Sequence, residues 1–249
     1  MAIVKYIITN LLLVFSSSLY AQQSNSFNVP GVSLQLGNNV DLVDTLQLVT
    51  ILTLLTLAPA FVVLCTSFTR IIVVLSFMRQ ALGTQNMPPN QLLVGFALFL
   101  SVFVMMPTGV QIYDYALKPY NEKKITTMEA MSVVERSVRN FMLKQTRKND
   151  IKLFYDVTNA QAPSSADQVP THYLIPAFII SELKTAFQIG FLLYVPFLVL
   201  DMVVASVLMA MGMMMLPPVL VSLPFKILLF VLVDGWHLVT GALLRSFNA

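Results

Sequence analysis

The chain has 249 residues, 57% of them hydrophobic and only 11% charged, against about 25% charged in a soluble globular domain. That composition excludes an ordinary soluble enzyme, and although the net charge is +3, nine cations crowd between Lys118 and Lys152 while the rest of the chain carries membrane-length apolar runs, which argues against a nucleic-acid partner. The single cysteine, Cys65, excludes an intrachain disulfide and a thiolate metal cluster.

Residues 1–21 carry Lys5, then an apolar stretch through Leu11, Leu12, Leu13, Val14 and Phe15, then small polar residues up to Ala21. The order is that of a cleavable secretory signal, although Leu19 is bulky for its place in a cleavage box, and an uncleaved first membrane segment is the alternative. Residues 22–45, rich in Gln, Asn, Ser and Gly, read as a flexible lead-in.

Gaps between charges then locate the membrane segments. No charged residue lies between Asp44 and Arg70, between Arg79 and Asp114, or between Asp201 and Lys226, and a bilayer-spanning helix needs about 20 mostly apolar residues. The expected spans are 46–66 and 91–111, together forming a first pair over 46–111, and 187–211 and 219–243, forming a second pair within 173–249. The run Met87-Pro88-Pro89-Asn90 and the pair Pro217-Pro218 break the chain before the second and fourth spans. With the signal removed, four crossings put the loop holding Arg70 and Arg79 in the cytoplasm, as the positive-inside rule asks, and the basic 112–172 stretch outside, where that rule loses force for a segment of this length.

Within 112–172, Met128, Met131, Val134, Val138, Phe141 and Met142 recur at three- and four-residue spacing, which predicts an amphipathic helix whose other face carries Glu135, Arg136, Arg139 and Lys144. A second apolar group, Ile151, Leu153, Phe154 and Tyr155, follows, and 160–170 reads as a loop. The fold class expected is therefore all-α: a polytopic membrane protein of helical hairpins with an extracytoplasmic helical domain.

The isolated charges matter most. A charge at bilayer depth costs about 2.5–3.5 kcal/mol on insertion scales, so it faces protein or water rather than lipid. Lys184 sits at a segment edge, where snorkelling to the headgroups explains it. Asp201 is read equally as a water-facing or capping residue and as an interface residue. Six methionines lie between Met202 and Met215. Methionine fills irregular packing gaps, but Met213, Met214 and Met215 cannot share one helix face and run into Leu216-Pro217-Pro218, so a loop or broken helix end is expected there.

Catalytic constellations are absent. His172 and His237 lack partners at metal-ligand spacing, the serines Ser67, Ser76 and Ser181 have no base in local sequence, and no glycine-rich phosphate loop occurs. No cofactor, metal or nucleic acid is expected. The competing class is an intramembrane enzyme or proton-coupled carrier using Glu182, Asp201 and Asp234.

Three motifs carry a resemblance: the run Pro176-Ala177-Phe178-Ile179-Ile180-Ser181-Glu182-Leu183-Lys184-Thr185-Ala186-Phe187-Gln188-Ile189-Gly190-Phe191, the run Pro196-Phe197-Leu198-Val199-Leu200-Asp201, and the run Met209-Ala210-Met211-Gly212-Met213-Met214-Met215-Leu216-Pro217-Pro218. With the order of segments around them, the chain resembles the FliP/SctR family of type III secretion export-gate proteins over nearly its whole length, in its flagellar branch, with the injectisome branch as the alternative. The resemblance implies a core channel subunit that forms a ring of about five copies with FliQ and FliR, lies with other export-apparatus proteins and lipids in the bacterial inner membrane of the flagellar basal body, and passes unfolded polypeptides. It implies a pore constriction at Met213, Met214 and Met215. It also places Glu182 and Lys226 at contacts between neighbouring copies, as a charge pair, while Asp201, Phe141 and Phe154 are candidate interface residues. Phe141 and Phe154 are read equally as the core of their own domain. Helices that score as spans are expected to be partly lifted out of the bilayer into a periplasmic cone.

Overall fold

The computed structural model describes residues 42–84, 87–161, 163, 165, 168–213 and 215–247. The signal segment 1–21 and most of the 22–45 lead-in lie outside them, as does Met214. Every regular element among the described residues is helical: α1 (Leu42–Leu64), α2 (Phe68–Ala81), α3 (Asn90–Ile112), a π-helical stretch (Tyr113–Leu117), α4 (Lys118–Asn121), α5 (Thr127–Gln145), α6 (Lys148–Thr158), α7 (Thr171–Ala210), α8 (Pro218–Leu232) and α9 (Gly235–Arg245). The chain divides into two units, 1–53 and 54–249, and all the candidate site residues belong to the second.

Among the described residues three stretches are long and apolar enough to cross a membrane: 46–64, the 32-residue run 90–121, and α7. A fourth is broken, since α8 and α9 meet at a 65° bend where Asp234 takes a left-handed backbone with φ of 51°. The titratable Asp234 of the carrier reading is thus the corner residue of a bent pair. α7 begins at Thr171, well before the expected 187, and runs 40 residues through Pro176 and Pro196. Each proline removes a backbone hydrogen bond and clashes with the preceding turn, but a membrane or helix-packed setting tolerates this where neighbouring groups re-satisfy the backbone.

The largest departure from the sequence-based expectation is α2. The charge pattern puts Arg70 and Arg79 on a cytoplasmic loop; Arg70 instead lies on a helix whose Ile71, Val74, Leu75 and Met78 are fully buried. Their three- and four-residue spacing is that of a core-facing helix. α2 packs most extensively against α7 and next against α3. The two helices meet tightly at Gly190 of α7, where an added Cβ would lie 2.7 Å from the Phe77 ring of α2. The same ring meets Phe187 edge-on at 5.3 Å. Gly190→Leu is therefore expected to push α2 off α7 and lower the apparent Tm in detergent, with Phe77→Ala in the same chain recovering part of the loss; a single Leu variant as stable as the parent would show the contact to be loose.

α5 starts at a reciprocal cap: the Thr126 backbone N–H donates to Glu129 Oε2 at 2.7 Å, and the Glu129 N–H donates back to Thr126 Oγ1 at 3.3 Å. This hydrogen bond to the Thr126 backbone, seconded by the Thr126 hydroxyl, holds the Glu129 carboxyl below its ordinary range. The predicted stripe on α5 divides in two. Met142 is buried with Tyr155, Val169, Leu174 and Phe178, with Val138 and Phe141 packed against them, whereas Met128 and Met131 are exposed. Leu174 and Phe178 belong to α7, so the small helical domain closes its core on the first turns of the long helix. Phe141 meets Phe178 edge-on at 6.1 Å, and Phe154 is half-buried.

Candidate functional site

Three polar or loop features stand out against the apolar packing. The first centres on Arg70. Its Nε donates to Glu182 Oε2 at 2.9 Å and its Nη2 to Glu182 Oε1, forming the two-pronged arrangement that a planar guanidinium makes with a carboxylate. The remaining donors reach Gln145 Oε1 at 2.9 Å, the Ser246 carbonyl at 2.8 Å and Ser246 Oγ at 3.1 Å, and the Phe247 ring lies 3.9 Å from the guanidinium carbon. The pair is 2% and 0% exposed. Gln145 Nε2 donates to the Phe247 carbonyl at 3.0 Å. One buried ion pair thus joins α2, α5, α7 and the residues after α9.

One residue along α7, Ser181 faces the small helical domain. Its hydroxyl donates to the buried Asp150 carboxylate at 2.6 Å and accepts from the Arg147 N–H at 3.0 Å. The Arg147 guanidinium reaches Gln188 Oε1 at 2.6 Å and Thr185 Oγ1 at 3.2 Å. The corner between α5 and α6 is therefore clamped to α7 by hydrogen bonds, which fixes that domain more tightly than its modest apolar core alone would.

The second feature is on α7 and α8. Lys226 Nζ donates to Asp201 Oδ2 at 2.6 Å, and Ser222 Oγ donates to Asp201 Oδ1 at 2.5 Å. Ser222 and Lys226 stand four residues apart and so share a helix face.

The Glu182–Lys226 pair expected between copies thus meets a different arrangement within the chain: Glu182 has Arg70 and Lys226 has Asp201. Sequence shows both charges to be costly at depth but leaves their partners open, since 112 residues separate Arg70 from Glu182. Arg70 reads as a loop cation when charge gaps alone are weighed; the signal that places it otherwise is its position inside the helical apolar pattern of 68–78. Gln145, Asp150, Ser222 and Ser246 carry no signal, because a polar residue beside an apolar stripe is ordinary. Lys184 is exposed.

The third feature is the turn after α7. Gly212 has φ of 76°, a left-handed conformation that costs a glycine little. Its N–H bonds to the Met209 carbonyl at 3.0 Å, and the Met213 N–H to the Leu208 carbonyl at 2.9 Å, the paired bonds that terminate a helix with a left-handed residue. The helix break expected at this point is present. Met202, Met209, Met211 and Met215 are 60%, 60%, 64% and 98% exposed. They do not fill this chain's own core.

Among the described residues no three His, Cys, Asp or Glu side chains converge in a metal-binding group. His172 stacks on Tyr173 at 4.4 Å.

The amino-acid sequence that builds these helices matches a known family. The model of the FliP family matches residues 51–243, more than three quarters of the chain. The chain belongs to the FliP family. Flagellar biosynthetic protein FliP of Bacillus subtilis is 55% identical over 204 residues, 82% of this chain and 92% of that one. The protein of the same name from Borreliella burgdorferi is 48% identical over 238 residues, 94% of each chain, and that of Caulobacter vibrioides is 49% identical over 218 residues, 87% of this chain and 82% of that one. The span matched by the FliP model takes in Arg70, Gln145, Asp150, Ser181, Glu182, Asp201, Ser222, Lys226 and the methionine turn. Ser246 and Phe247, which cover Arg70, fall beyond it.

Proposed function

We propose that this FliP-family chain is a channel-forming core subunit of the flagellar type III protein export gate, and that copies of it assemble in the bacterial inner membrane to conduct unfolded flagellar polypeptides. The observation that carries this reading is the likeness, at about half identity over most of both chains, to proteins named for flagellar biosynthesis. The same names favour the flagellum over the injectisome. A ring of about five copies, with FliQ and FliR as neighbours and the 112–172 domain in the periplasm, follows from the family resemblance and the topology argument.

The surface supports an assembled state. In the most apolar window of α7 only 11% is buried within the chain, and Phe187, Phe191, Leu192, Val199 and Val203 are exposed along it. Such a surface must be covered by lipid or by other chains. The interface role proposed for Phe154 and for the partly exposed Asp201 is compatible with their surroundings, whereas Phe141 is engaged with Phe178. An exchange of Glu182 and Lys226 into a pair between copies would first have to break both intrachain ion pairs, so in the proposed assembly these two residues shape the subunit that is presented to its neighbours.

Purified in mild detergent with FliQ and FliR co-expressed, the tagged chain is expected to elute as a homo-oligomer of several subunits with both partners retained. A monodisperse single copy that binds a small solute would overturn the gate reading in favour of a carrier.

A further inference from the structure

We infer that Asp201, Ser222 and Lys226 form a latch that positions the methionine turn relative to the core helix α2. The turn lies between the end of α7 at Ala210 and the start of α8 at Pro218. Without a fixed point nearby, two apolar helices joined by such a turn can slide or splay while their side chains re-pack, because dispersion contacts are individually weak and undirected. The structure supplies one. Asp201 lies nine residues before the end of α7, about 14 Å along the helix axis, and accepts from both Lys226 and Ser222, which lie eight and four residues beyond the start of α8 at Pro218. Both carboxylate oxygens are used, one by each partner, so the contact sets rotation as well as separation of the two helices.

The latch is also tied to the core. Gly83, with φ of 77°, follows the C-terminal end of α2, and a Cβ added there would lie 3.8 Å from Lys226 Nζ and 3.7 Å from Val219 Cγ1. The ammonium thus lies beside the backbone just beyond the C-terminal end of α2 as well as against the Asp201 carboxylate. Lys226 is 2% exposed and Asp201 23%, so the cation is held inside while the carboxylate borders the surface. Deeper along the hairpin, Phe197 and Phe230 meet at 6.4 Å; this apolar contact holds the helices together without fixing their register. Lys226 is then a positioning residue for the turn, referencing it to α2, whose other end is anchored through Arg70.

This inference rests on the gate reading for its consequence for conduction, but not for its geometry, and the test separates the two. Spin labels are placed at Met215 and at exposed Gln80 of α2 in a Cys65→Ala background of the full chain, diluted with unlabelled copies in the assembled complex. The parent is expected to give one narrow distance population. Lys226→Met and Asp201→Asn should each replace it with a broad or shifted one, Ser222→Ala should give a smaller broadening, and the reversed pair, Asp201→Lys with Lys226→Asp, should narrow it again. Ser222→Ala removes one hydrogen bond at nearly constant volume, so it reports even if the Lys226 variant fails to accumulate. A distribution that is already broad in the parent, or unchanged in Asp201→Asn and Ser222→Ala, overturns the latch. Ion conductance on the same samples then addresses the gate: a displaced turn in a complex that stays ion-tight keeps the latch and removes the constriction from the methionines.

Discussion

Arg70→Met is expected to remove most of the folded protein, and Arg70→Met combined with Glu182→Leu to restore a measurable part of it. Arg70 and Glu182 are both buried, and breaking such a pair from one side leaves the other charge uncompensated, at a cost of about 3–5 kcal/mol. That is comparable with the whole stability of a marginal domain, about 5–15 kcal/mol. The guanidinium also serves Gln145, Ser246 and the Phe247 ring, so its loss strands acceptors elsewhere in the packed core. Arg70→Lys keeps the charge but not the fork and is expected to fall between parent and Met variant. Apolar replacement of both partners removes the stranded charge, which is why the double variant should exceed either single one. Accumulation in membranes and the detergent unfolding midpoint check this; a double variant no better than Arg70→Met would mean that Glu182 is not stabilised by Arg70.

The other large effect concerns conduction. Replacing Met213, Met214 and Met215 together with Gly is expected to leave assembly intact and to let ions leak through the overproduced complex. A closed export pore must exclude ions, yet fit chains of any sequence in transit. Unbranched, polarizable thioethers are apolar enough to favour dewetting of a narrow constriction and flexible enough to re-pack. Met209, Met211 and Met215 are exposed, so those three do not fill gaps in their own subunit. Whole-cell conductance or solute uptake, with oligomer yield measured in parallel, decides the matter. An assembled, ion-tight glycine variant would locate the constriction elsewhere.

Much of the fold is legible in the sequence because it depends on local physical chemistry. Charge-free runs mark the first two of the stretches that are long and apolar enough to span among the described residues. Three- and four-residue spacing marks α5, and consecutive methionines running into Pro217-Pro218 mark a helix end, since no single helix face can hold three neighbours in sequence. The cost of burying Glu182 and Lys226 is equally readable, because it is a property of each residue and its flanks.

What only the tertiary structure decided was who meets whom. Two cations in 67–90 look like a loop, yet Arg70 is central to the core and pairs with a carboxylate 112 residues away. α7 continues through two prolines because its packing against neighbouring helices outweighs their local cost, and the small helical domain borrows Leu174 and Phe178 from that helix. Asp201 takes Lys226, and Glu182 takes Arg70, though the sequence allows other pairings of the same charges. The penalty for a buried charge arises from short-range solvation, so each residue carries it wherever its neighbours in sequence are apolar. The choice of partner is set by the packing of helices distant in the chain, which brings one donor within hydrogen-bonding reach and leaves the others out.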